Sequence, residues 1–309
     1  MKRVLVTNPI MQRDLPRFEG RLRDAGIETV VHPVSQALDE AQLLRIVPGF
    51  DGVIAGDDPF TARVLEAAAP RLKVISKWGV GLDAIDLEAA RRLGIQVFNS
   101  PGAFADAVAE VAIGYIVMLS RHLHRVDREV RMGKWPKPEG EGLRGKILGI
   151  VGLGAIGRAI AQRALPFGMV VRAVDIRRSS PPPGVEWATL DSLLSTADTL
   201  CLCCNLTPEN RRMIDADRLA RMKPTALLVN VARGGLIDEP ALIAALAGKR
   251  IAGAALDVFE QEPLPPGHPL MDLDNVILGS HNANNERRAN DFVNRNTIEN
   301  LLRGLRASG

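Results

Sequence analysis

The chain has 309 residues, of which 46% are hydrophobic and 24% charged, and its formal net charge is +3. This length suggests two domains, and the composition is that of an ordinary globular protein. The balanced charge and an aromatic content of only 4% argue against nucleic acid or a membrane surface as a partner, because such partners require clustered positive charge or stacking platforms. The richest apolar run, residues 111–119, has about half of the roughly 18 residues that a membrane span needs.

The first hundred residues alternate between strand and helix patterns. Asp39 and Asp86 stand where helix N-caps belong, and Gly26 and Gly94 stand where helices end. Regular alternation of this kind predicts a parallel sheet covered by helices on both faces. The predicted strands are residues 4–7, 28–32, 52–55, 73–77 and 95–99, and the predicted helices are residues 13–25, 39–47, 60–69 and 86–93.

The pattern changes at a turn over residues 99–102. A long helical pattern follows at 103–120 and continues in a further segment to residue 132, before a polar loop at 133–145. A second alternating series then predicts a second parallel sheet. Its predicted strands are residues 147–151, 170–174, 199–204, 226–230, 253–257 and 276–278.

The domain boundaries follow from these two series. The final helical pattern, residues 289–305, has to pack on one of the two sheets, and we expect it to return to the first. The expected first domain therefore comprises residues 1–99 and 285–309, and the second comprises residues 100–284.

A glycine-rich segment opens the second series. The hexapeptide Gly152-Leu153-Gly154-Ala155-Ile156-Gly157 fits the pattern G-x-G-x-x-G; a predicted strand precedes it, a helical pattern follows it, and the next strand ends in Asp175. These are the parts of a dinucleotide-binding turn, in which glycines permit the tight turn, the approach of a pyrophosphate and close helix packing. The helix N-terminus attracts the phosphates. The alternative is a glycine turn that binds no ligand.

Asp175 favours NAD over NADP as the cofactor. Its carboxylate would accept hydrogen bonds from the ribose hydroxyls and would repel a 2′-phosphate. Arg177 and Arg178 follow closely and could meet a 2′-phosphate, so NADP remains the less favoured alternative.

Three later predicted strands lead into polar segments that contain Arg233, Glu262 and His281. Ligands of parallel α/β sheets bind beyond the carboxyl ends of the strands, so these side chains are expected to converge on one crevice. Glu260 is the rival of Glu262 as the functional carboxylate, and each of the three residues could instead be an ordinary structural or loop residue.

The three cysteines, Cys201, Cys203 and Cys204, lie within four positions. They cannot form a disulfide framework, and the sequence has no second cluster that would complete a zinc site. We interpret them as reduced thiols of a buried strand, expect no metal, and expect a reducing cytoplasm as the compartment.

Ordered motifs lie along nearly the whole chain. They are residues 78–86 (WGVGLDAID), 99–102 (NSPG), 108–110 (VAE), 145–157 (GK and the glycine segment), 231–235 (VARGG), 255–259 (ALDVF) and 262–263 (EP). Through them the sequence resembles the D-isomer-specific 2-hydroxyacid dehydrogenases, and within that family the phosphoglycerate dehydrogenase-like branch. The resemblance implies an α/β protein with two doubly wound parallel sheets, a flavodoxin-like substrate or lid domain and a Rossmann dinucleotide-binding domain.

The resemblance implies catalytic roles for three residues. Arg233 would hold the substrate carboxylate and polarise the C2 oxygen, a task that suits its fork of donors. His281 would take the hydroxyl proton during oxidation and return it during reduction. Glu262 would hydrogen-bond the imidazole, orient it and stabilise its charged form.

The resemblance also implies residues that surround the ligands. Backbone amides around Val80 and Gly81 would bind the substrate carboxylate, and the long helix at 103–120 would form the contact of a homodimer. Lys77 would meet a phosphate or a sugar acid, with a solvated strand-end lysine as the alternative. Beside the glycine segment, the implied cofactor-lining residues are Ile156, Asp175, Cys204, Val231, Ala232, Arg233 and Asp257.

Two segments depart from the family pattern. The family usually has proline before the histidine and small residues after it, whereas this chain has Ser280-His281-Asn282. Ala84 replaces the asparagine that is usual in its loop. The first departure leaves His281 as the expected base but puts the local substrate contacts in doubt.

The expected function is NAD-dependent hydride transfer to or from a small D-2-hydroxy acid or 2-keto acid, with 3-phosphoglycerate, hydroxypyruvate and glyoxylate as candidates. One alternative is an NAD(H)-sensing binding module, which would need the glycine segment but not Arg233, Glu262 and His281. A second is an enzyme of the same fold that oxidises phosphite or formate.

Overall fold

The computed structural model describes residues 1–178 and 180–307. Ser179 and residues 308 and 309, of which the last two fall in the predicted first domain, lie outside the described residues. The chain divides into two compact units: one comprises Met1–Phe104 together with the chain from Glu286 onward, and the other comprises Ala105–Asn285. Each unit has a parallel sheet of its own.

The sheet of the first unit has five parallel strands in the order β2-β1-β3-β4-β5. This is the strand order of a flavodoxin-like doubly wound sheet. The strands are β1 (Lys2–Val6), β2 (Ile27–Val31), β3 (Gly52–Ala55), β4 (Val74–Lys77) and β5 (Gln96–Phe98). The helices that connect them are α1 (Pro9–Asp14), α2 (Glu19–Asp24), α3 (Glu40–Ile46), α4 (Ala62–Ala68) and α5 (Leu87–Arg92).

The predicted helix signals of this unit are confirmed at four positions. Asp39 caps α3 in a capping box with Gln42, and Asp86 caps α5 by accepting from an amide of its first turn. Gly26 and Gly94 have φ values of 71° and 70°, a left-handed conformation that glycine adopts without a steric penalty.

The single helix predicted over residues 13–25 is wrong. The chain forms α1, a short 3-10 turn at Leu15–Arg17, and then α2. Pro16 lies at the start of that turn, and proline in a helix interior removes a hydrogen bond and clashes with the preceding turn. Asn8 caps the earlier start by accepting a hydrogen bond from the amide of Met11.

The sheet of the second unit has seven parallel strands in the order β12-β11-β10-β9-β6-β7-β8, a Rossmann arrangement, so the predicted fold class is confirmed. A short edge strand at 185–187, which pairs with its neighbour alone, is absent from the predicted strands. The seven strands are β6 (Ile147–Val151), β7 (Val170–Val174), β8 (Val185–Trp187), β9 (Thr199–Leu202), β10 (Leu227–Asn230), β11 (Gly253–Leu256) and β12 (Val276–Leu278).

In chain order, two helices precede the strands of this sheet and the final helix follows them. The two preceding helices are separated at His122, whose φ of 54° is left-handed. The last helix packs on the sheet of the first unit, where Ser76 donates to the carbonyl of Thr297 over 2.8 Å and Gly304 has no room for a Cβ beside Val74. The helices are α6 (Ala105–Ser120), α7 (Leu123–Arg131), α8 (Ala155–Ala164), α9 (Leu190–Thr196), α10 (Ala216–Arg221), α11 (Glu239–Ala247) and α12 (Arg287–Ala307).

The topology of the second unit determines where a ligand can bind. The strand order reverses between β6 and β9, and ligands of such sheets bind at this point, beyond the carboxyl ends of the strands. The loops at that edge carry the glycine segment, Asp175, Arg233, Glu262 and His281. Among the described residues, none of the helices combines the length and the apolar character required to cross a membrane.

Candidate active site

The glycine segment forms a tight turn between β6 and α8. Gly152 has a φ of 97°, and its amide donates to the carbonyl of Val174 over 2.8 Å. A Cβ on Gly152 would lie 2.6 Å from the amide nitrogen of Cys204, and a Cβ on Gly157 would lie 2.1 Å from the carbonyl oxygen of Gly152. These two glycines are therefore required by the protein's own packing.

Gly154 is different, because a Cβ at this position would meet none of the described protein atoms within 4 Å. It is the N-cap of α8, so its open side lies at a helix N-terminus, where amide groups and the helix dipole attract anions. The open space at this glycine, beside two glycines that are tightly packed, fits the pyrophosphate of a dinucleotide.

Asp175 lies just beyond β7 and is held by the main chain. Its Oδ2 accepts from the amide of Leu153 over 2.7 Å, and its Oδ1 accepts from the amide of Arg177 over 2.8 Å. Two amide donors fix the carboxylate next to the glycine turn, while the Arg177 and Arg178 side chains are exposed. This placement suits a carboxylate that accepts hydrogen bonds from ribose hydroxyls.

All three cysteines are free thiols. Cys201 is buried in β9, and the backbone of Cys204 packs against Gly152. Burial raises the pKa of the Cys204 thiol to about 11. The thiol beside the glycine turn is therefore uncharged at neutral pH.

Glu262 and His281 form a hydrogen-bonded pair. The distance between Glu262 Oε2 and His281 Nδ1 is 2.7 Å, and each side chain is about one fifth exposed. The other oxygen, Oε1, accepts from the amide of Phe259 over 2.9 Å, which fixes the carboxylate to its own loop. With Nδ1 facing the carboxylate, Nε2 lies on the opposite side of the ring, in the arrangement of an acid–base histidine with its orienting carboxylate.

Glu260, the alternative candidate for the functional carboxylate, contacts two arginines. Its Oε1 accepts from Arg211 over 3.3 Å and from Arg212 over 3.1 Å. The geometry therefore pairs Glu262 with the imidazole and Glu260 with two surface arginines.

The backbone of His281 is strained and firmly held. Its φ is 53°, which is uncommon for a residue with a side chain. Its amide donates to the carbonyl of Asp257 over 2.7 Å, and the Asp257 carboxylate accepts from the amides of Asn282 and Ala283 over 3.2 and 2.9 Å. Asp257 is only 2% exposed, so this buried residue holds the loop on both sides of the imidazole.

Arg233 follows β10 at the start of a short 3-10 turn, Gly234–Leu236. Asn230 donates to the carbonyl of Arg233 over 2.8 Å and accepts from the amide of Ala232 over 3.1 Å, which fixes the loop. A Cβ on Gly234 would lie 1.9 Å from the carbonyl carbon of Phe259. The turn of Arg233 therefore packs directly on the loop that leads to Glu262.

The sequence predictions miss a pair that supports this loop. Glu239 accepts from the amide of Glu260 over 3.3 Å with one oxygen and lies 3.1 Å from His268 Nε2 with the other. Glu239 thus connects both ends of the segment that carries Glu262. The two residues lie on different elements, and no local motif connects them.

In the first unit, two carbonyl groups of the loop after β4 accept hydrogen bonds from residues 99 and 100. Ser100 donates through its amide to the carbonyl of Gly79 over 2.8 Å, and the Asn99 side chain donates to the carbonyl of Val80 over 2.6 Å. In a trans peptide the N–H group points opposite to the C=O group. The amides of Val80 and Gly81 therefore point away from residues 99 and 100.

Lys77 is buried rather than solvated. Its residue exposure is 4%, and its ammonium lies 3.0 Å from Asp57 Oδ1 and 3.1 Å from the carbonyl oxygen of Trp78. The positive charge of this lysine is therefore paired with a carboxylate of its own unit.

Comparisons with known proteins identify the family of this chain. The family model of the NAD-binding domain of D-isomer specific 2-hydroxyacid dehydrogenases matches residues 113–283. A glyoxylate reductase of Thermofilum pendens is 41% identical over 276 residues, which cover 86% of this chain and 81% of the relative. A hydroxypyruvate reductase of Thermotoga maritima is 37% identical over 276 residues, with 88% and 90% covered.

A solved structure shows the same architecture. The D-lactate dehydrogenase of Aquifex aeolicus, in complex with NAD and lactic acid, superimposes with a TM-score of 0.86 at 27% identity and covers 96% of this chain and 93% of that one. The matched domain model, the relatives and the fold agree on one assignment. The chain belongs to the D-isomer specific 2-hydroxyacid dehydrogenase family and is an NAD-dependent oxidoreductase.

Proposed function

We propose that this chain reduces small, unphosphorylated 2-keto acids of the glyoxylate and hydroxypyruvate type to D-2-hydroxy acids, and catalyses the reverse oxidation. Membership of the family supplies the reaction class, hydride exchange between NAD and a 2-hydroxy or 2-keto acid. The observation that carries the assignment to this chain's residues is the 2.7 Å contact between Glu262 and His281.

We propose His281 as the group that moves the proton. In reduction, the protonated imidazole donates from Nε2 to the C2 oxygen as that oxygen gains negative charge, and in oxidation the neutral ring accepts the hydroxyl proton. Glu262 favours the protonated form and holds the ring in one orientation through Nδ1. When bound, the reduced nicotinamide supplies the hydride that C2 accepts.

Arg233 is proposed to bind the substrate carboxylate and to polarise the C2 oxygen. A guanidinium can donate to both oxygens of a carboxylate in a fixed geometry. The packing of Gly234 on the loop of Glu262 supports this role, because it keeps the arginine turn and the acid–base pair in a constant relation. The amides of Val80 and Gly81 are proposed as further carboxylate donors, since their carbonyl groups are tied to residues 99 and 100.

The proposed preference for unphosphorylated acids rests on Lys77. A lysine that binds phosphate acts as a point charge, and here Asp57 compensates that charge at 3.0 Å. Removing the compensating carboxylate in Asp57→Asn should therefore improve activity on phosphorylated acids relative to the unphosphorylated ones.

The test is the rate of NADH oxidation with glyoxylate, hydroxypyruvate and 3-phosphohydroxypyruvate. We expect turnover of the first two and a kcat/KM at least about tenfold lower for the phosphorylated acid, a difference of about 1.4 kcal/mol. Folded protein that binds NADH but turns over none of the three would contradict the proposal, and NADH-dependent capture of another protein without turnover would favour the sensing alternative.

We further propose that the chain acts as a homodimer in the cytoplasm. Exposed apolar side chains just after α7 support dimerisation, since Trp135 is 79% and Met132 59% exposed. The free thiols support a reducing compartment. Sedimentation equilibrium of the purified protein tests the first statement, and a monomer at micromolar concentration would contradict it.

A further inference from the structure

The chain contains one tyrosine, and it contacts the loop system that holds His281. Tyr115 lies on α6 and is partly buried. Its hydroxyl donates to Asp257 Oδ1 over 3.3 Å, across 142 positions of sequence. The sequence motifs and the proposed function assign no role to this residue.

The absence of a side chain at Gly279 leaves the space in which the Tyr115 hydroxyl contacts Asp257. A Cβ on Gly279 would lie 2.5 Å from the Tyr115 hydroxyl oxygen and 2.3 Å from Asp257 Oδ1. A side chain at this position would displace the hydroxyl, the carboxylate or both. The glycine before Ser280 and His281 therefore allows the tyrosine to reach Asp257.

Asp257 is the residue through which the tyrosine can act on the imidazole. Its Oδ1 accepts from Tyr115 and from the amide of Asn282, its Oδ2 accepts from the amide of Ala283, and its own carbonyl accepts from the amide of His281. The carboxylate is buried, so each donor compensates for lost hydration. Removing the Tyr115 hydroxyl therefore reduces this compensation, and we expect the hydrogen bonds from the amides of Asn282 and Ala283 to change.

The tyrosine is suited to be a permanent donor. Burial, together with the Asp257 carboxylate, raises the pKa of the Tyr115 hydroxyl well above its usual value. The hydroxyl therefore keeps its proton throughout the physiological pH range and cannot become a second anion beside Asp257.

We propose that Tyr115 is a positioning residue, which fixes the Asp257 carboxylate and thereby holds His281 in its left-handed backbone conformation. This inference rests on the proposed role of His281 as the proton donor. Tyr115 touches neither substrate nor cofactor in this account, and its effect on the reaction passes through Asp257 and the loop at residues 281–283.

The test compares Tyr115→Phe with Tyr115→Leu. The first keeps the ring and removes the hydroxyl, and the second removes both. We expect both variants to lower kcat for glyoxylate reduction by about tenfold, since a hydrogen bond to a charged group is lost, while the Kd for NADH stays within about twofold of wild type. A residue that merely fills space would give a defect in Tyr115→Leu alone.

A second readout needs neither cofactor nor substrate. The five histidines can be resolved by ¹⁵N–¹H correlation of the imidazole rings, and His281→Ala identifies the resonance of His281. We expect Tyr115→Phe to shift or broaden this resonance and to leave that of His32, which lies in the first unit, unchanged.

The outcomes separate the two proposals. If the wild type reduces 2-keto acids and Tyr115→Phe keeps kcat within about twofold, the positioning role is overturned. If the wild type reduces none of them, the proposed function fails, and the imidazole spectrum alone decides: a changed His281 resonance supports the positioning role and an unchanged one overturns it.

Discussion

Glu262 lies 2.7 Å from His281, with Oε2 of the carboxylate facing Nδ1 of the ring. The carboxylate also accepts from the amide of Phe259. The backbone that carries the imidazole is held by Asp257, whose carbonyl accepts from the amide of His281 and whose carboxylate accepts from the amide of Asn282. Each partner is thus oriented by its own loop before a substrate binds, and preorganisation of this kind lowers the cost of reaching the reactive geometry.

Glu262→Gln should remove the charge of the carboxylate together with one of its two hydrogen bonds. The carboxylate accepts from the Phe259 amide and from the imidazole, whereas an amide has only one accepting oxygen, so kcat/KM for reduction should fall by about 100-fold or more. Initial rates of glyoxylate reduction check this, and a kcat/KM within about twofold of wild type would contradict the proposed role of the carboxylate.

Gly154→Ala should impair cofactor binding without harming the fold. A Cβ at this position meets none of the described protein atoms within 4 Å, but it would occupy the space in which the pyrophosphate is expected. The Kd for NADH, measured by fluorescence titration, should rise by at least about tenfold, while the Tm changes little.

Gly142→Ala is the matched control for that variant, because a Cβ there is equally free of described neighbours and lies in the loop before β6. It should leave both the Kd and the Tm near the wild-type values. Unchanged NADH affinity in Gly154→Ala would contradict the proposed pyrophosphate position.

Asp175→Ala should relax the discrimination between the two cofactors. It removes the carboxylate that would repel a 2′-phosphate and leaves Arg177 and Arg178 beside the site. The ratio of kcat/KM for NADPH to that for NADH should rise by at least about tenfold. Replacing both arginines by alanine in the same background should reverse the gain, and a ratio that does not respond to Asp175→Ala would place the specificity elsewhere.

The Cys204 thiol should react slowly with alkylating agents. Burial raises its pKa to about 11, so at pH 8 only about one thiol in a thousand is ionised, and the thiolate is the reactive form. Mass spectrometry after timed iodoacetamide treatment should show labelling that accelerates as the pH rises above 9 and slows when NADH is added. Fast labelling at pH 7 would contradict the partly buried, uncharged state of this thiol.

Local sequence patterns predict much of this fold. The mainly apolar runs at residues 147–151 (ILGIV) and 170–174 (VVRAV) are predicted as strands and form β6 and β7 with the same bounds. Such runs have the length of one strand, and each is followed directly by a residue that commonly ends a strand, Gly152 or Asp175. The resemblance to the family also implies the roles of Glu262 and His281, which the fold brings together.

The features that could not be predicted depend on contacts between distant residues. Asp57 lies 20 positions before Lys77, so the pairing that compensates the lysine is invisible to a local pattern. Tyr115 and Asp257 come from a helix and a strand end that meet only in the folded unit. The strand at 185–187 (VEW) has only two apolar residues and directly follows the sequence Pro-Pro-Pro-Gly at 181–184, so its pattern is that of a loop.

The central claim is that His281 transfers the proton in an NADH-dependent reduction of a 2-keto acid. The most direct measurement is single-turnover oxidation of bound NADH by glyoxylate in wild type and His281→Ala, alongside the Kd for NADH. We expect a rate at least about 100-fold lower in the variant, with NADH affinity within about twofold of wild type. A variant that binds NADH normally and reduces glyoxylate at the wild-type rate would contradict it.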